Sequence, residues 1–264
     1  MIAIVLPKAD ERILSALRFQ KCKDFKVYVT TGEVEDDDVR DVLDIQHGSW
    51  SQVQEEVVCI LEEGALPNPD FVGRIVKAVR RHPDFNVYHV NLNGEKAFPR
   101  KTKAKKLFKL VVLEEVPAPL SSFIFRTSVL RDRAVFKPDG TLASLASVFA
   151  CAVESPVRNV WRGRLDWSAP DPVTDPMEQD LKVRRKLALL KWTEDYFGDD
   201  DYPLSVGDQL DLFATEVAKL YPSYSEEDLK EMMNGFQVSQ GTVRKMRAMS
   251  ALKAALKQRG LELQ

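Results

Sequence analysis

The chain has 264 residues, with 38 Lys or Arg against 40 Asp or Glu, a formal net charge of −2. Hydrophobic residues make up 44% and charged residues 30%, which excludes a fibrous, disordered or membrane-embedded chain. No apolar run approaches the ~18 residues of a membrane span, no charged-then-apolar leader precedes the first strand-like run, and the charge gives no global pull toward nucleic acid; a cytoplasmic protein is expected.

Ile2 to Leu6 is a short apolar run rich in β-branched residues and closed by Pro7, the pattern of a buried parallel strand. Asp10 can cap a helix over Glu11 to Phe19 that places Ile13, Leu14 and Leu17 on one face. A second strand follows over Phe25 to Thr30, and then Glu33 to Asp44, EVEDDDVRDVLD, reads as an acidic solvated loop with a short helix. Asp36, Asp37 and Asp38 form a carboxylate cluster, but consecutive side chains diverge rather than converge on one ion. His47 to Gln54 leaves room for about two helical turns. The next segment, VVCILEEGALPNPDFVGRIVKAVR from Val57 to Arg80, joins a buried strand ending at Leu61 to Glu62, Glu63 and Gly64. An apolar turn then leads through Pro69, Asp70 and Phe71 into an amphipathic helix ending at His82 and Pro83.

Strands are expected over Asn86 to Val90 and Lys109 to Leu113, with a basic loop between them carrying Arg100, Lys101, Lys103, Lys105, Lys106 and Lys109. The run APLSSFIFRTSVL, Ala118 to Leu130, holds a further strand that ends at Arg126. Pro138, Asp139 and Gly140 read as a turn, Ala143 to Ser147 as an apolar helix face, and Val160 to Ser168 as a late strand. Cys22, Cys59 and Cys151 stand singly and read as small hydrophobes in a reducing compartment. His47, His82 and His89 are scattered, which gives no hydrolase triad. After Pro170 the strand pattern stops. Helices are expected over Met177 to Phe197, after capping-box spacings at Ser205 and Ser225, and from Ser239 or Thr242 to just before Gly260. The last of these carries Arg244, Lys245, Arg247, Lys253, Lys257 and Arg259 around a stripe of Met246, Met249, Leu252, Ala255 and Leu256. Two domains are therefore expected, residues 1–170 and 171–264.

These motifs resemble those of family-2 glycosyltransferases of the GT-A fold. That family shows I-P-x-x-N, then S-L and Q in the first helix, then D-F; Pro7, Asp10, Ser15, Leu17, Gln20, Asp24 and Phe25 stand at those positions. Leu61 to Gly64 matches its L-D-x-D, the strand ending at Arg126 its F-R-x-x-x-L, and Phe136 the phenylalanine of its G-G-F-D. Arg162 and Arg164 match its late R-x-R. The resemblance implies an α/β protein, a GT-A-like nucleotide-diphospho-sugar transferase fold with a mixed, mostly parallel sheet flanked by helices, followed by a helical C-terminal subdomain. It further implies a UDP-linked sugar bound by Pro7, Asp10, Thr31, Glu33 and Glu62. Manganese or magnesium would sit at Glu62 and Glu63, with acceptor or phosphate contacts from Arg100, Lys101, Lys103 and Arg126.

Three acids of the family pattern are absent. Thr31 and Gly32 stand where the family has the acid that reads uracil, and Gly64 stands at the second acid of L-D-x-D. No Asp or Glu occurs between Asp139 and Glu154, where the family's catalytic base lies, so Asp139 is the nearest substitute. Three readings follow: a sugar transferase for an unknown acceptor, a catalytically inactive nucleotide- or glycan-binding descendant, and a sugar transferase acting on modified, phage-type DNA. The basic stretches 100–109 and 244–259 fit an anionic partner, nucleic acid or membrane surface.

Overall fold

Ile2, Ala3, Ile4, Val5 and Leu6 present no polar side chain to either face, so the strand they form, β1 (Ile2–Lys8), belongs in the middle of a sheet. The computed structural model places it there and describes residues 1–96, 98–113, 116–135, 144–168, 211, 214–215, 217–219, 227–228 and 242–258. The other strands are β2 (Phe25–Thr31), β3 (Ile45–His47), β4 (Val57–Ile60), β5 (Ala65–Pro67), β6 (Val87–Leu92), β7 (Lys101–Thr102), β8 (Phe123–Arg126) and β9 (Val157–Trp167). They form one mixed sheet in the order β3-β2-β1-β4-β8-β6-β9-β5, with β7 paired to β9. Strands β1 to β4 run parallel; β8 is antiparallel to both its neighbours, so β6 and β9 again point the same way as β4. The carboxyl ends of β2, β1 and β4 therefore lie side by side, at the position where open α/β sheets bind ligands.

One face of the sheet is closed by α1 (Glu11–Arg18) and α3 (Phe71–Arg81). Ile2, Ile4 and Leu6 of β1 join Ile13, Leu14 and Leu17 of α1 and Phe71, Val72, Ile75 and Val79 of α3 in one buried cluster. Each such apolar side chain contributes on the order of 1.5–3 kcal/mol when fully buried. The Asp10 cap forms as expected, its carboxylate accepting from Arg12 N at 2.9 Å and Ile13 N at 3.2 Å. Gln20 has a role that composition alone would not give: buried at the end of α1, it donates to Asn68 O and accepts from Val72 N, so it caps the first turn of α3 from a distant segment.

The remaining helices are α2 (Asp37–Val42), α4 (Ala104–Phe108), α5 (Thr127–Arg133), α6 (Ser144–Ala152) and α7 (Thr242–Gln258). Phe108 of α4 packs on Phe149 of α6 at 5.2 Å between ring centres. Two expectations need correction here. The stretch expected as a strand over Lys109 to Leu113 is instead a π-helical turn continuing α4, because Leu107 and Phe108 are both buried and hold the chain in helical register. The expected basic loop is likewise structured, Lys101 and Thr102 being paired with β9 and the lysines of 103–106 lying at or in α4. The stretch from His47 to Gln54 holds one 3-10 turn, Trp50–Gln52, after the end of β3.

Contacts divide the chain into Met1–Pro170 and Asp171–Gln264. The helices expected over Met177 to Phe197 and after Ser205 and Ser225 fall largely outside the described residues. In α7, Leu252, Ala255 and Leu256 are buried while Lys253 and Lys257 are exposed, as its apolar stripe requires. Among the described residues no helix is long and apolar enough to cross a membrane.

Candidate functional site

The segments following β1, β2 and β4 meet at one edge. Thr31 Oγ1 donates to Pro7 O at 2.8 Å and Ala9 N donates to Thr31 O at 2.9 Å, which fastens the turn after β1 to the end of β2. Leu61 N donates to Val5 O, which aligns the start of the Glu62 turn with β1. Pro7, Asp10, Thr31, Glu33 and Glu62 thus lie on segments that emerge from three adjacent strands. Gly32 has φ of +86°, and a Cβ there would touch Ala9 Cβ at 3.3 Å, so a glycine lets the two turns approach.

The acidic turn is shaped by its backbone. Glu62 N donates to the buried Ser121 Oγ at 2.8 Å, while Ala65 N donates to Glu62 O at 3.1 Å. Gly64 has φ of +84°, and a Cβ at that position would lie 2.9 Å from Ser168 O and 3.2 Å from Ser168 Oγ. No side chain fits there without moving Ser168, whose own N–H donates to Gly64 O at 3.2 Å. The missing second acid is thus excluded by conformation as well as by residue type. Glu63 is exposed and Glu62 half-buried. Among the described residues no three His, Cys, Asp or Glu gather closely enough to hold a metal ion, the Asp36 to Asp38 run included. Asp36 is instead the N-cap of α2, accepting from Val39 N. A divalent cation would fit only if Glu62 shared its coordination with phosphate oxygens and water.

Ser121, Ser168 and Asn93 carry supporting roles that sequence reasoning missed. Asn93, at φ of +50°, donates through Nδ2 to Trp167 O at 3.0 Å and accepts from Trp167 N at 2.9 Å, pinning the end of β9 beside β6. The dipeptide Asn93-Gly94 is a turn signal that could have found it. Nothing local marks Ser121 or Ser168.

The cations expected on the acceptor side do not join this edge. Arg126 is opposite Val57, the first residue of β4, so it lies ~16 Å of strand away from Glu62. Its guanidinium is engaged by Glu56 and by the carbonyls of Phe85 and Pro83. Lys101 is opposite Arg158 near the start of β9, again at the far end of the sheet, and Arg100 precedes it. Lys103 stands at the N-cap of α4 and is exposed. Among the residues expected as acceptor or phosphate contacts, Arg126, Arg100 and Lys101 thus stand at the opposite ends of their strands from the Glu62 turn. Asp139 and Phe136 lie outside the described residues.

No family model and no curated protein matches the sequence. Among solved structures, the chain is similar to TarS of S. aureus. The crystal structure of TarS 1–349 in complex with UDP matches at 13% identity and TM-score 0.52, covering 98% of this chain and 81% of that one. The complex with UDP-GlcNAc matches at 13% identity and TM-score 0.52, covering 97% and 80%. The structure of TarS 1–349 without a named ligand matches at 12% and 0.53, covering 98% and 81%. At this identity the likeness is one of fold, and it bears out the expected GT-A-like α/β architecture.

Proposed function

We propose that the chain binds a UDP-linked sugar across Pro7 to Asp10, Thr30 to Glu33 and Leu61 to Gly64, and transfers the sugar to an acceptor hydroxyl. The observation that carries this reading is the meeting of those three segments at the carboxyl ends of β1, β2 and β4. The fold likeness to TarS, whose crystal structures hold UDP and UDP-GlcNAc, supports the nucleotide class. In such a transfer the acceptor oxygen attacks the anomeric carbon as the bond to the diphosphate breaks. The bonding pair leaves with the diphosphate and the acceptor proton passes to a base, for which Asp139 is the sequence candidate. Manganese or magnesium at Glu62, when bound, supplies positive charge to the departing diphosphate. Ser121 keeps Glu62 in place through the backbone N–H, and the half-buried position of Glu62 limits the water around it.

The conformation of Gly64 favours a second reading, binding without turnover, because it removes a metal ligand that the family pattern provides. One set of titrations separates these. Calorimetry with UDP, GDP, CDP and ADP, each with and without Mn²⁺, should give UDP as the tightest ligand. Glu62→Gln should abolish whatever gain Mn²⁺ brings. Failure of every nucleotide to bind below about 1 mM would overturn the site. UDP binding without hydrolysis or transfer of UDP-GlcNAc to water or glycan acceptors would favour the binding-only reading.

A further inference from the structure

The outward face of α3 carries Arg74, Lys77 and Arg81 at i, i+3 and i+7, one stripe opposite the buried Phe71, Val72, Ile75 and Val79. With His82, Arg100 and Arg158 they line a cavity of about 490 Å³, within the ~300–1,000 Å³ typical of small-molecule sites. The cavity opens at the amino ends of β6 and β9, where Tyr88 is opposite Arg158, far from the Glu62 turn.

Arg158 is the informative member. It is only 6% exposed, and a buried guanidinium calls for a counter-charge. Its partners are neutral: Nη2 lies 2.9 Å from His82 Nε2, and the guanidinium stands 5.7 Å from the centre of the Phe85 ring. Because an arginine can only donate, His82 Nε2 must accept, so the imidazole there is uncharged. Burial, followed by the charges of Arg158, Arg100, Lys101 and Arg81, holds the His82 pKa down. Among the described residues, no carboxylate pairs with Arg74, Lys77, Arg81, Arg100 or Arg158. Elsewhere the same chain does pair its cations, as Arg80 with Asp24 at 3.1 Å, Lys21 with Asp70 at 3.1 Å and Arg164 with Asp166 at 2.8 Å. Complementing the carboxyl end of α3 would account for Arg80 and Arg81, but not for Arg74 and Lys77 higher on the helix or for Arg158 on the neighbouring strand.

We propose that this cavity is an anion site for a small, multiply charged phosphate compound of the pyrophosphate or bisphosphate class, separate from the nucleotide cleft. Two guanidinium forks from β9 and from the approach to β7 suit paired phosphate oxygens, and the α3 stripe supplies charge for a second group. The site stands independently of the glycosyltransferase reading.

The test is calorimetry on the full chain at low salt with inorganic pyrophosphate and inorganic phosphate, without metal. Pyrophosphate should bind below about 1 mM and more tightly than phosphate. Arg100→Gln and Arg158→Gln should each weaken it by about tenfold or more, the effect of losing a charge-assisted hydrogen bond, whereas Glu62→Gln and Lys23→Gln should leave it unchanged. Arg100 is exposed, so Arg100→Gln carries the test if circular dichroism finds Arg158→Gln unfolded. The inference is overturned if pyrophosphate does not bind, or if Arg100→Gln has no more effect than Lys23→Gln. Binding of duplex DNA with no binding of pyrophosphate would also overturn it, in favour of a polymeric partner.

Discussion

A carboxylate at position 64 would need a left-handed backbone at φ of +84° and a Cβ 2.9 Å from Ser168 O. Gly64→Asp is therefore expected to lower stability by about 1–3 kcal/mol and to leave Mn²⁺ affinity unimproved, as read from urea midpoints and calorimetry; a gain in metal binding at unchanged stability would contradict the conformational account. His89 is the second residue with a measurable consequence. It is fully buried against Phe98 and Phe123, at 4.4 and 5.1 Å between ring centres. Burial holds its pKa down at about 3, with the Asn159 amide opposing the shift only in part. An unfolded His titrates near ~6.5, so below that pH the unfolded chain takes up a proton that the folded chain refuses, and stability falls as pH drops toward 3. The loss at pH 5 is on the order of 2 kcal/mol. In His89→Leu that component vanishes: the difference in unfolding free energy between variant and wild type should shift by that amount between pH 7 and pH 5.

At the scale of elements, hydrogen bonds from distant segments decide how the strand ends are held. Tyr28 of β2 donates to Glu55 at 2.9 Å, and Glu55, just before β4, also accepts from Gln54 N and lies 3.7 Å from Lys26 Nζ. Burial and the adjacent Glu55 push the Tyr28 pKa up to about 12, so the phenol stays a donor at any physiological pH. Tyr28→Phe should cost about 1–2 kcal/mol, measured by denaturant unfolding, because it removes one donor from a buried carboxylate. Ser121 plays the matching part at the other end of β4. Ser121→Ala should cost about 1 kcal/mol and also weaken UDP binding, since it frees the Glu62 backbone; loss of stability with unchanged UDP affinity would separate Ser121 from the cleft. The element that local pattern misread, the π-helical turn Lys109–Leu113, shows why. KLVVL has the β-branched composition of a strand, but it continues a helix in which Leu107 is buried and Phe108 packs on Phe149 of α6.

Across the whole sheet, the cleft and the cations Arg126 and Arg158 stand at opposite ends. The Glu62 turn follows the carboxyl end of β4, whereas Arg126 pairs with the first residue of that strand and Arg158 lies at the start of β9. Sites separated by ~16 Å or more without shared partners act independently. Glu62→Gln and Arg158→Gln should therefore be additive in stability within about 0.5 kcal/mol, and UDP at saturation should leave pyrophosphate affinity unchanged in calorimetry. Mutual competition would place both ligands in one cleft.

Local chemistry in the sequence determined the frame: β-branched runs gave the buried strands β1 and β2, Asp10 announced the start of α1, and the amphipathic pattern from Phe71 to His82 gave α3, whose buried face the structure assigns to Phe71, Val72, Ile75 and Val79. Pro7, Thr31 and Glu62 could be placed at strand ends for the same reason, because strand limits depend on neighbours in the chain. Tertiary structure alone decided what those positions meet. The antiparallel insertion of β8 between β4 and β6 sent Arg126 away from Glu62, and the pairing of β7 with β9 carried Arg100 and Lys101 to Arg158. Register is a property of residues far apart in the chain, so charge that is clustered in sequence gives no indication of which end of a sheet it will occupy. The same holds for Gly64, whose missing carboxylate is a matter of composition in the sequence but of Ser168 in the folded chain.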